Sequence, residues 1–328
     1  MLNNSTILVT GGTGSFGQKF IGTVLKRYAP KKVIVFSRDE FKQDNMSKIF
    51  PETKYPIRYF LGDIRDKTRL YRAFEGVDYV VHAAALKQVP ALEYNPMEAV
   101  KTNVLGADNI VEASIDCGVK KVVALSTDKA VNPINLYGAT KLVAEKTFVA
   151  ANAYAGGKVK FSVVRYGNVV GSRGSVIPLF MDFKKQGIKE FPITDERMTR
   201  FWITLDQGVD LVLTALEQSV GGEAFIPIIS SMKVTDLARA IDPDCRFKTI
   251  GIRPGEKLHE MLISEDEARK TKKVGNNYVI LPQFYTNDVV HETYDQYATL
   301  TDGFSYRSDN NAGWLSVGDL KKIIKDLE

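Results

Sequence analysis

Short apolar segments rich in β-branched residues alternate with helical patterns through the first half of the chain, and this alternation most constrains its fold. Helices between such segments predict parallel strands joined by crossover connections. Strands that are apolar throughout belong to a sheet that is covered on both faces. The predicted strands are 6–10, 32–37, 57–61, 78–83, 121–126 and 160–165, and the clearest helices are 16–27, 67–74, 96–117 and 136–153. We therefore predict an α/β fold with a doubly wound, parallel, Rossmann-type sheet.

The alternation ends after Tyr166 in a glycine-rich loop, which marks a change of organisation. Residues 1–170 are predicted to form the nucleotide-binding domain, and the chain returns to it around residues 203–229. Residues 171–202 and 230–328 are predicted to form a smaller, C-terminal substrate-binding domain. We expect the ligands to bind between the two domains.

The composition excludes several classes of protein. With 44% hydrophobic and 25% charged residues among 328, the chain is neither disordered nor fibrous. A net charge of +5, spread along the sequence, favours small anions over a nucleic acid. Neither the two cysteines nor the three histidines have a metal-binding spacing, so we predict no metal. Without a signal peptide pattern or an apolar run near the ~18 residues of a membrane span, we predict a cytoplasmic protein without a membrane partner.

A glycine-rich loop separates the first predicted strand from the helix that follows. Gly11, Gly14 and Gly17 are spaced by three residues. Glycines here allow a tight turn and close backbone approach to a pyrophosphate at the helix N-terminus, although an ordinary βα turn is the alternative. The residues predicted to hold the pyrophosphate are Gly11, Thr13, Gly14, Ser15, Phe16 and Gly17.

The end of the second predicted strand indicates which dinucleotide binds. Ser37 and Arg38 stand where a carboxylate would select the ribose of NAD, and Lys42 follows. Because an arginine fork suits a phosphate, we predict NADP, the alternative being that Arg38 only pairs with Asp39 at the surface. The other predicted cofactor contacts, for the adenine and for close backbone approach, are Asp63, Ile64, Ala83, Ala84 and Ala85.

The fifth predicted strand delivers Thr127, Asp128 and Lys129 to the carboxyl edge of the sheet, where ligands bind in such folds. Tyr137 and Lys141 follow at a spacing of four on a helix, so their side chains share one face. A lysine ammonium beside a phenol lowers the tyrosine pKa, which makes Tyr137 a candidate base. The alternatives are a chance pair on a helix and a solvated pair of charges at Asp128 and Lys129.

These motifs resemble those of a known family. The loop 10–17, the helix with Asn103, Ser126-Thr127 and Tyr137-Gly-Ala-Thr-Lys141 resemble the extended short-chain dehydrogenase/reductases. More narrowly, the chain resembles the inverting UDP-N-acetylglucosamine 4,6-dehydratases of pseudaminic acid synthesis. That resemblance covers almost the whole length and is carried by segments 37–40, 85–90, 126–130, 165–175, 253–260 and 314–317.

The resemblance implies an NADP-dependent 4,6-dehydration of UDP-N-acetylglucosamine with inversion at C5. It implies that Tyr137, assisted by Lys141, handles the O4 proton, while Thr127 binds near O4. It also implies that Lys129 is the C5 base and that Asp128 protonates the departing hydroxyl. A homo-oligomer is implied as well, with Asn103 and Lys87 among the cofactor contacts. The implied substrate contacts are Lys87, Asn168, Ser175, Val176, Arg200, Arg253 and Glu256.

Several alternatives stay open. A 4-epimerase shares the glycine loop, Tyr137 and Lys141 but has no use for an acid and a base at C6 and C5. A regulator that binds NADPH without turnover is a third possibility. The C5 base is Lys129 or Tyr137, since a lysine acts as a base only if burial or nearby cations lower its pKa. The final glycan is also left open.

Overall fold

The computed structural model describes residues 1–171, 176–283 and 288–325; Ser175, an implied substrate contact, lies outside them. The strands are β1 (Thr6–Thr10), β2 (Lys32–Ser37), β3 (Ile57–Leu61), β4 (Tyr79–His82), β5 (Lys121–Thr127), β6 (Lys160–Tyr166), β7 (Asn168–Val169), β8 (Glu190–Ile193), β9 (Thr199–Ile203), β10 (Ala224–Pro227), β11 (Ser231–Lys233), β12 (Arg246–Thr249), β13 (Met261–Ile263), β14 (Thr271–Val274), β15 (Asn277–Ile280) and β16 (Tyr306–Arg307). The helices are α1 (Ser15–Arg27), α2 (Glu40–Ile49), α3 (Lys67–Phe74), α4 (Val89–Tyr94), α5 (Pro96–Ala99), α6 (Gly106–Asp116), α7 (Leu136–Tyr154), α8 (Val176–Lys185), α9 (Leu205–Gln218), α10 (Val234–Ile241), α11 (Glu265–Ala268), α12 (Asp288–Tyr294) and α13 (Val317–Lys325).

A large sheet forms the centre of the molecule. Across the described residues it has nine strands in the order β14-β15-β10-β6-β5-β4-β1-β2-β3. The run from β10 to β3 is parallel, and β15 and β14 continue it in antiparallel pairing. Helices α1 and α9 pack together, as do α6 and its neighbours α3 and α7. The predicted Rossmann-type α/β fold is confirmed.

The order of the strands fixes the place of a ligand. The chain moves outward from β1 through β2 to β3, then crosses back to place β4 on the other side of β1. In an open parallel sheet, this reversal opens a crevice at the carboxyl ends of the strands. The loops after β1, β2, β4 and β5 therefore meet at one edge.

A second hydrophobic core lies outside the large sheet. It is built by α8, α10 and α13, with Phe180, Phe191 and Leu237 among its fully buried side chains. Small sheets β11-β9-β7, β12-β8 and β13-β16 connect this core to the rest. Across the described residues, every helix is too short or too polar to cross a bilayer.

One part of the predicted domain division differs in the structure. Residues 271–280, assigned to the smaller domain, form the β14-β15 hairpin at the edge of the large sheet. Gly275 takes a φ of 56° in the two-residue turn between these strands. A glycine at this position suits a tight hairpin. The hairpin is polar on its outer strand, so it lacks the apolar run that identified the other strands.

The predicted helix 96–117 is also divided. It consists of α5, a π-helical segment Val100–Leu105, and α6. Such π-bulges occur frequently at functional sites. This one contains Asn103, whose amide nitrogen donates to the Leu86 carbonyl and whose oxygen accepts from the Leu86 N–H, both at 2.9 Å. The irregular turn thus ties the helix to the loop after β4.

Candidate active site

A cavity of about 950 Å³ lies at the carboxyl edge of the large sheet. Its lining combines the glycine loop with the ends of β2, β4 and β5 and the start of α7. The predicted site residues that line it are Gly11, Thr13, Gly14, Ser15, Phe16, Gly17, Ser37, Arg38, Lys42, Ile64, Ala83, Ala84, Ala85, Lys87, Thr127, Lys129, Tyr137, Lys141 and Asn168. The predicted site omitted some lining residues, which include Phe36, Gln88, Thr102, Tyr166 and Leu205. Gln88 and Tyr166 lie in segments that carry the family resemblance, which was a signal that could have found them.

The glycine loop has the geometry that a dinucleotide pyrophosphate needs. Gly11 has a φ of 66°, and a Cβ there would lie 2.9 Å from the Ala84 nitrogen. A Cβ on Gly17 would lie 2.5 Å from the Gly12 Cα, so only glycine lets α1 start this close to the loop. No side chain caps the N-terminus of α1, and its first turn carries no acidic residue. Its amides and dipole therefore favour an anion at this end.

Two cations stand at the ribose end of the cavity. Arg38 is about half exposed, and its Nη1 lies 3.5 Å from Asp63 Oδ2. The ammonium of Lys42 lies 2.7 Å from Asp39 Oδ2. Ser37 is held by Gln43, whose amide donates to the Ser37 hydroxyl at 3.0 Å. The alternative to a phosphate site was a surface pair of Arg38 with Asp39. Arg38 is indeed close to a carboxylate, but it is the carboxylate of Asp63.

Two of the predicted cofactor contacts support the wall of the cavity and do not line it. Asp63 accepts two hydrogen bonds from the guanidinium of Arg65, at 2.9 and 2.7 Å. Burial works to raise the pKa of Asp63, but Arg65 and Arg38 lower it overall. Asn103 donates to the Thr140 hydroxyl at 3.0 Å besides holding Leu86. It links the loop after β4 to α7.

Asp128, Lys129 and Glu260 form a buried ionic cluster beside the cavity. The Lys129 ammonium lies 3.0 Å from Asp128 Oδ1 and 3.2 Å from Glu260 Oε1. The Thr127 hydroxyl also donates to Asp128 Oδ1, at 2.9 Å. Thr127 and Lys129 line the cavity, whereas Asp128 is completely buried behind them. Glu260 was part of a motif in the sequence, but nothing there showed that it meets Lys129.

The pKa values of the three groups in the cluster are shifted in different directions. Burial works to lower the pKa of Lys129, but the carboxylates of Asp128 and Glu260 outweigh it and raise this pKa. Burial, and then the negative charge of Glu260, raise the pKa of Asp128 against the opposing effect of Lys129. Burial would raise the pKa of Glu260 too, but Lys129, Arg200 and Lys257 lower it overall. The condition set for a lysine base, a lowered pKa, is therefore not met in the resting cluster, where Lys129 is an ammonium.

Tyr137 lies within reach of the same cluster. Burial raises the pKa of its phenol, while the Lys129 ammonium and a hydrogen bond with Thr127 work to lower it. The predicted lowering of this pKa is thus wrong for the protein alone, because burial has the larger effect. A second buried phenol, Tyr166, lines the cavity and has its pKa raised by burial and by Tyr137.

Lys141 is buried one helical turn beyond Tyr137. Burial lowers its pKa to about 8, although Glu145 acts in the opposite direction. Glu145 in turn accepts a hydrogen bond from Ser126 and pairs with Arg165, whose Nη2 lies 2.7 Å from its Oε2. Lys141 thus sits at the end of a buried polar chain that connects α7 with β5 and β6.

The residues implied for the uridine diphosphate do not all meet at the cavity. Arg200 is buried and donates to the carbonyls of Thr199 and Lys257, at 2.7 and 3.0 Å. Its Nη2 also lies 3.4 Å from Glu256 Oε1. Arg253 is exposed, and neither it nor Val176 lines the cavity. Substrate roles for these four residues stay predictions.

The histidines whose side chains are described have structural partners. His82 is buried, its Nδ1 lies 2.8 Å from the Thr10 hydroxyl, and burial lowers its pKa to about 3. His259 Nδ1 lies 2.8 Å from the Thr199 hydroxyl. Within the described ranges, no three His, Cys, Asp or Glu side chains come together as metal ligands would.

The chain is similar to known proteins over most of its length. The model of a family described as polysaccharide biosynthesis protein matches residues 7–282. The UDP-N-acetylglucosamine 4,6-dehydratase (inverting) of Campylobacter jejuni subsp. jejuni serotype O:23/36 (strain 81-176) is 54% identical, over 100% of this chain and 99% of its own. The UDP-glucose 4-epimerase of Rickettsia massiliae is 44% identical over 85% of this chain and 84% of its own.

The chain is also similar to solved structures. The X-ray structure of Pen from Bacillus thuringiensis is 38% identical, covers 100% of both chains and superposes with a TM-score of 0.90. DesIV, a dTDP-glucose 4,6-dehydratase from Streptomyces venezuelae, has the same fold at 23% identity and a TM-score of 0.69, over 77% of this chain and 86% of its own. The chain therefore belongs to the polysaccharide biosynthesis protein family, within the extended short-chain dehydrogenase/reductases, and is an enzyme related to the inverting UDP-N-acetylglucosamine 4,6-dehydratases.

Proposed function

We propose that this enzyme is an NADP-dependent, inverting UDP-N-acetylglucosamine 4,6-dehydratase. The observation that carries the proposal is the Lys129 ammonium, which lines the same cavity as the glycine loop and Tyr137 and is hydrogen-bonded to Asp128 at 3.0 Å. A 4,6-dehydration needs an acid and a base beyond the tyrosine, and this pair supplies both. The relative from C. jejuni, 54% identical over the whole chain, has this activity in its name.

The cavity fits a nicotinamide dinucleotide. The glycine loop and the uncapped N-terminus of α1 suit its pyrophosphate, and Arg38 and Lys42 suit a 2′-phosphate. When bound, NADP supplies a hydride acceptor for C4 of the sugar and the hydride that returns to C6. The residues of the chain then have only protons to move and the sugar to hold.

The proton steps begin from the ionised pair. A proton moves from Lys129 Nζ to Asp128 Oδ1 along their hydrogen bond, which leaves a neutral amine and a carboxylic acid. Tyr137 first gives its phenol proton to solvent, and the resulting phenolate, which the charge of Lys129 and the hydrogen bond with Thr127 favour, takes the O4 proton as C4 is oxidised. The Lys129 amine then takes the acidic C5 proton. The C6–O bond breaks, and the Asp128 proton leaves with that oxygen as water. When the hydride has returned to C6, C5 takes a proton that comes from solvent on its opposite face, which completes the methyl product and inverts C5. Thus one internal transfer prepares the base and the acid together.

Asp128 needs a relay for this role, because it has no surface on the cavity. Its hydrogen-bond partners Thr127 and Lys129 both line the cavity. We place Thr127 between Asp128 and the departing hydroxyl, since a hydroxyl group can accept one proton while it donates another. Thr127 also contacts Tyr137, so it lies at the centre of the proton-transfer groups.

A homo-oligomer and a role in supplying pseudaminic acid, or a related 6-deoxy amino sugar, complete the proposal. Apolar side chains are exposed on neighbouring helices α6 and α7 and around them, with Leu105, Val143 and Tyr154 between 47% and 60% exposed. Such a face supports contact with a second copy. Cytoplasmic location stays a prediction from the sequence.

The test is NMR of the purified protein with NADP and UDP-N-acetylglucosamine in D2O. We expect a C6 methyl signal, deuterium at C5 and couplings of the L-arabino configuration. A sugar inverted at C4 without a methyl group would instead make the protein a 4-epimerase, as the 44% identical Rickettsia relative is named. Cofactor binding without any product would favour the regulator.

A variant connects this reaction to the ionic pair. Lys129→Arg keeps a positive charge between Asp128 and Glu260, but a guanidinium does not give up its proton in the working pH range. We expect dehydration to fall about 10² to 10⁴-fold, the usual contribution of a general acid or base, with NADP affinity unchanged. Lys121→Arg is the matched control, since Lys121 is also partly buried but donates to the carbonyls of Leu216 and Ser219 and does not line the cavity. Equal losses in the two variants would contradict the role of Lys129.

A further inference from the structure

Glu260 is a buried carboxylate for which neither the sequence nor the proposed reaction gives a use. It is 2% exposed and follows the loop 253–259 that leads into β13. Its Oε1 lies 3.2 Å from Lys129 Nζ. Its backbone N–H donates to the Ser308 hydroxyl at 2.9 Å, which fixes the residue independently of its charge. The side chain thus reaches the active site from the smaller part of the molecule.

The cluster holds one lysine between two carboxylates. Asp128 and Glu260 each direct one oxygen to the Lys129 ammonium. Their other oxygens, Asp128 Oδ2 and Glu260 Oε2, are buried and have no hydrogen-bond partner among the described residues. Two buried carboxylates that share a single cation repel each other, so the cluster favours a further proton on one of them.

The surroundings decide which carboxylate takes that proton. Glu260 faces a second cation, since Arg200 Nε lies 3.8 Å from its Oε1, and Lys257 also acts on it. Asp128 has the neutral hydroxyl of Thr127 in the corresponding place. The added cations keep Glu260 ionised and leave Asp128 as the acceptor.

We propose that Glu260 is a positioning residue that holds the Lys129 ammonium opposite Asp128 and directs its departing proton to Asp128. The inference rests on the proposed function. The N–H bond breaks at Lys129 Nζ and the O–H bond forms at Asp128 Oδ1, with Glu260 unchanged throughout. Its charge raises the affinity of Asp128 for the proton, while Arg200 keeps Glu260 itself from taking it.

The pH dependence of turnover tests this inference. The charged groups around the pair are Glu260, Arg200, Lys257, Lys87, Tyr137 and Glu256. The negative charge of Glu260 favours the protonated forms of both Asp128 and Lys129. In Glu260→Gln both limbs of the kcat profile should therefore move to lower pH, by about one unit for a charge at this distance.

Two variants keep the test independent of folding. Glu260→Asp retains the charge, so its profile should stay near the wild-type position even if kcat falls. Asp309→Asn removes a charge next to Ser308, which holds the Glu260 backbone, but Asp309 pairs with Arg307 at 2.8 Å and does not line the cavity, so the limbs of this variant should not move. NADP affinity checks that Glu260→Gln is folded, since Glu260 does not line the cavity.

The outcomes separate the two proposals. Loss of kcat in Glu260→Gln by one factor at every pH, with both limbs in place, would overturn the role of Glu260 and leave the dehydratase standing. Displacement of both limbs by the same amount in Asp309→Asn would overturn it as well. A wild-type enzyme that makes only the C4 epimer would refute the dehydratase itself. Displaced limbs in Glu260→Gln alone, with the methyl product formed, would support both.

Discussion

At the scale of single residues, Arg38 is the predicted determinant of NADP binding. Its guanidinium is about half exposed, lines the cavity and lies 3.5 Å from Asp63 Oδ2. A bound 2′-phosphate would offer it a stronger partner. We expect Arg38→Ala to weaken NADP binding about 10 to 100-fold, the range for a lost hydrogen-bonded charge, and to leave NAD binding within twofold. Titration of both dinucleotides measures this.

The control for that experiment is Arg58→Ala. Arg58 lies in β3 and is also exposed. It pairs with Glu52 at 3.7 Å, but it does not line the cavity. It should leave both affinities unchanged. If Arg38→Ala binds NADP as tightly as the wild type does, the prediction that Arg38 selects NADP at the end of β2 is wrong.

The burial of the Lys141 ammonium destabilises the folded protein. Burial lowers its pKa to about 8 from the 10.5 of a free lysine, so the folded protein disfavours the charged form. The penalty is complete below pH 8 and disappears as the pH rises toward 10.5. We expect Lys141→Met to be inactive yet more stable than wild type at pH 7, by at most about 3 kcal/mol.

Urea unfolding at pH 7 and near pH 10 measures this difference. The gain of the methionine variant should shrink at the higher pH, because Lys141 is then neutral in the folded protein and the unfolded chain loses its proton more easily as the pH approaches 10.5. Glu145 keeps its partners Ser126 and Arg165 in the variant, so no carboxylate is left unpaired. A variant less stable than wild type at pH 7 would show that the ammonium stabilises the fold.

How far the sequence predicts these residues depends on how locally they are determined. Tyr137 and Lys141 lie on one face of α7 at a spacing that a sequence shows directly. Glu260 meets Lys129 only after the chain has passed through β6, α9 and the smaller core, and no local pattern encodes that contact. The raised pKa of Lys129 escaped prediction for the same reason.

At the scale of elements, the strands of the large sheet were predictable because their side chains are buried on both faces. β1 and β6 are almost wholly buried, and both appear in the sequence as apolar runs. The β14-β15 hairpin lies at the edge, where polar side chains are tolerated. The π-helical segment Val100–Leu105 depends on the contact between Asn103 and Leu86, which a helical pattern cannot show.

A buried ion pair connects three elements behind the active site. Arg165 of β6 pairs with Glu145 of α7 at 2.7 Å and with Glu267 of α11 at 3.0 Å, and it is only 2% exposed. We expect Arg165→Met to cost about 3 to 5 kcal/mol, because it leaves buried carboxylates without a cation. Urea unfolding gives this free energy.

Arg27→Met is the control at the same scale. Arg27 of α1 pairs with Asp210 of α9 at 2.6 Å, but both side chains are about half exposed. Removing that pair should leave the free energy of unfolding nearly unchanged, because water screens it. Similar costs for the two variants would mean that the buried pair does not join β6, α7 and α11 more strongly than a surface pair joins two helices.

At the scale of the whole molecule, the active site depends on contact between its two cores. The loop before β13 reaches the large sheet domain at three places. The Asn135 amide donates to the Gly255 carbonyl at 2.7 Å, Lys257 Nζ donates to the Val131 carbonyl at 2.5 Å, and Glu260 meets Lys129. The sugar nucleotide is therefore expected to need both parts, whereas the dinucleotide needs only the large sheet.

Asn135 allows this dependence to be measured without damage to α7. Its Oδ1 caps the helix by accepting from the Gly138 N–H at 2.8 Å, and its Nδ2 holds Gly255. Asn135→Asp keeps the cap but places a carboxylate against the Gly255 carbonyl, and Asn135→Ser keeps a capping oxygen without the donor. We expect both to weaken UDP binding about tenfold, the usual value of one lost hydrogen bond, and to leave NADP affinity within twofold. Calorimetric titration with each nucleotide distinguishes the two effects. Equal loss of UDP and NADP affinity would mean that Asn135 stabilises α7 alone. Unchanged UDP affinity would mean that the loop before β13 keeps its position without this contact.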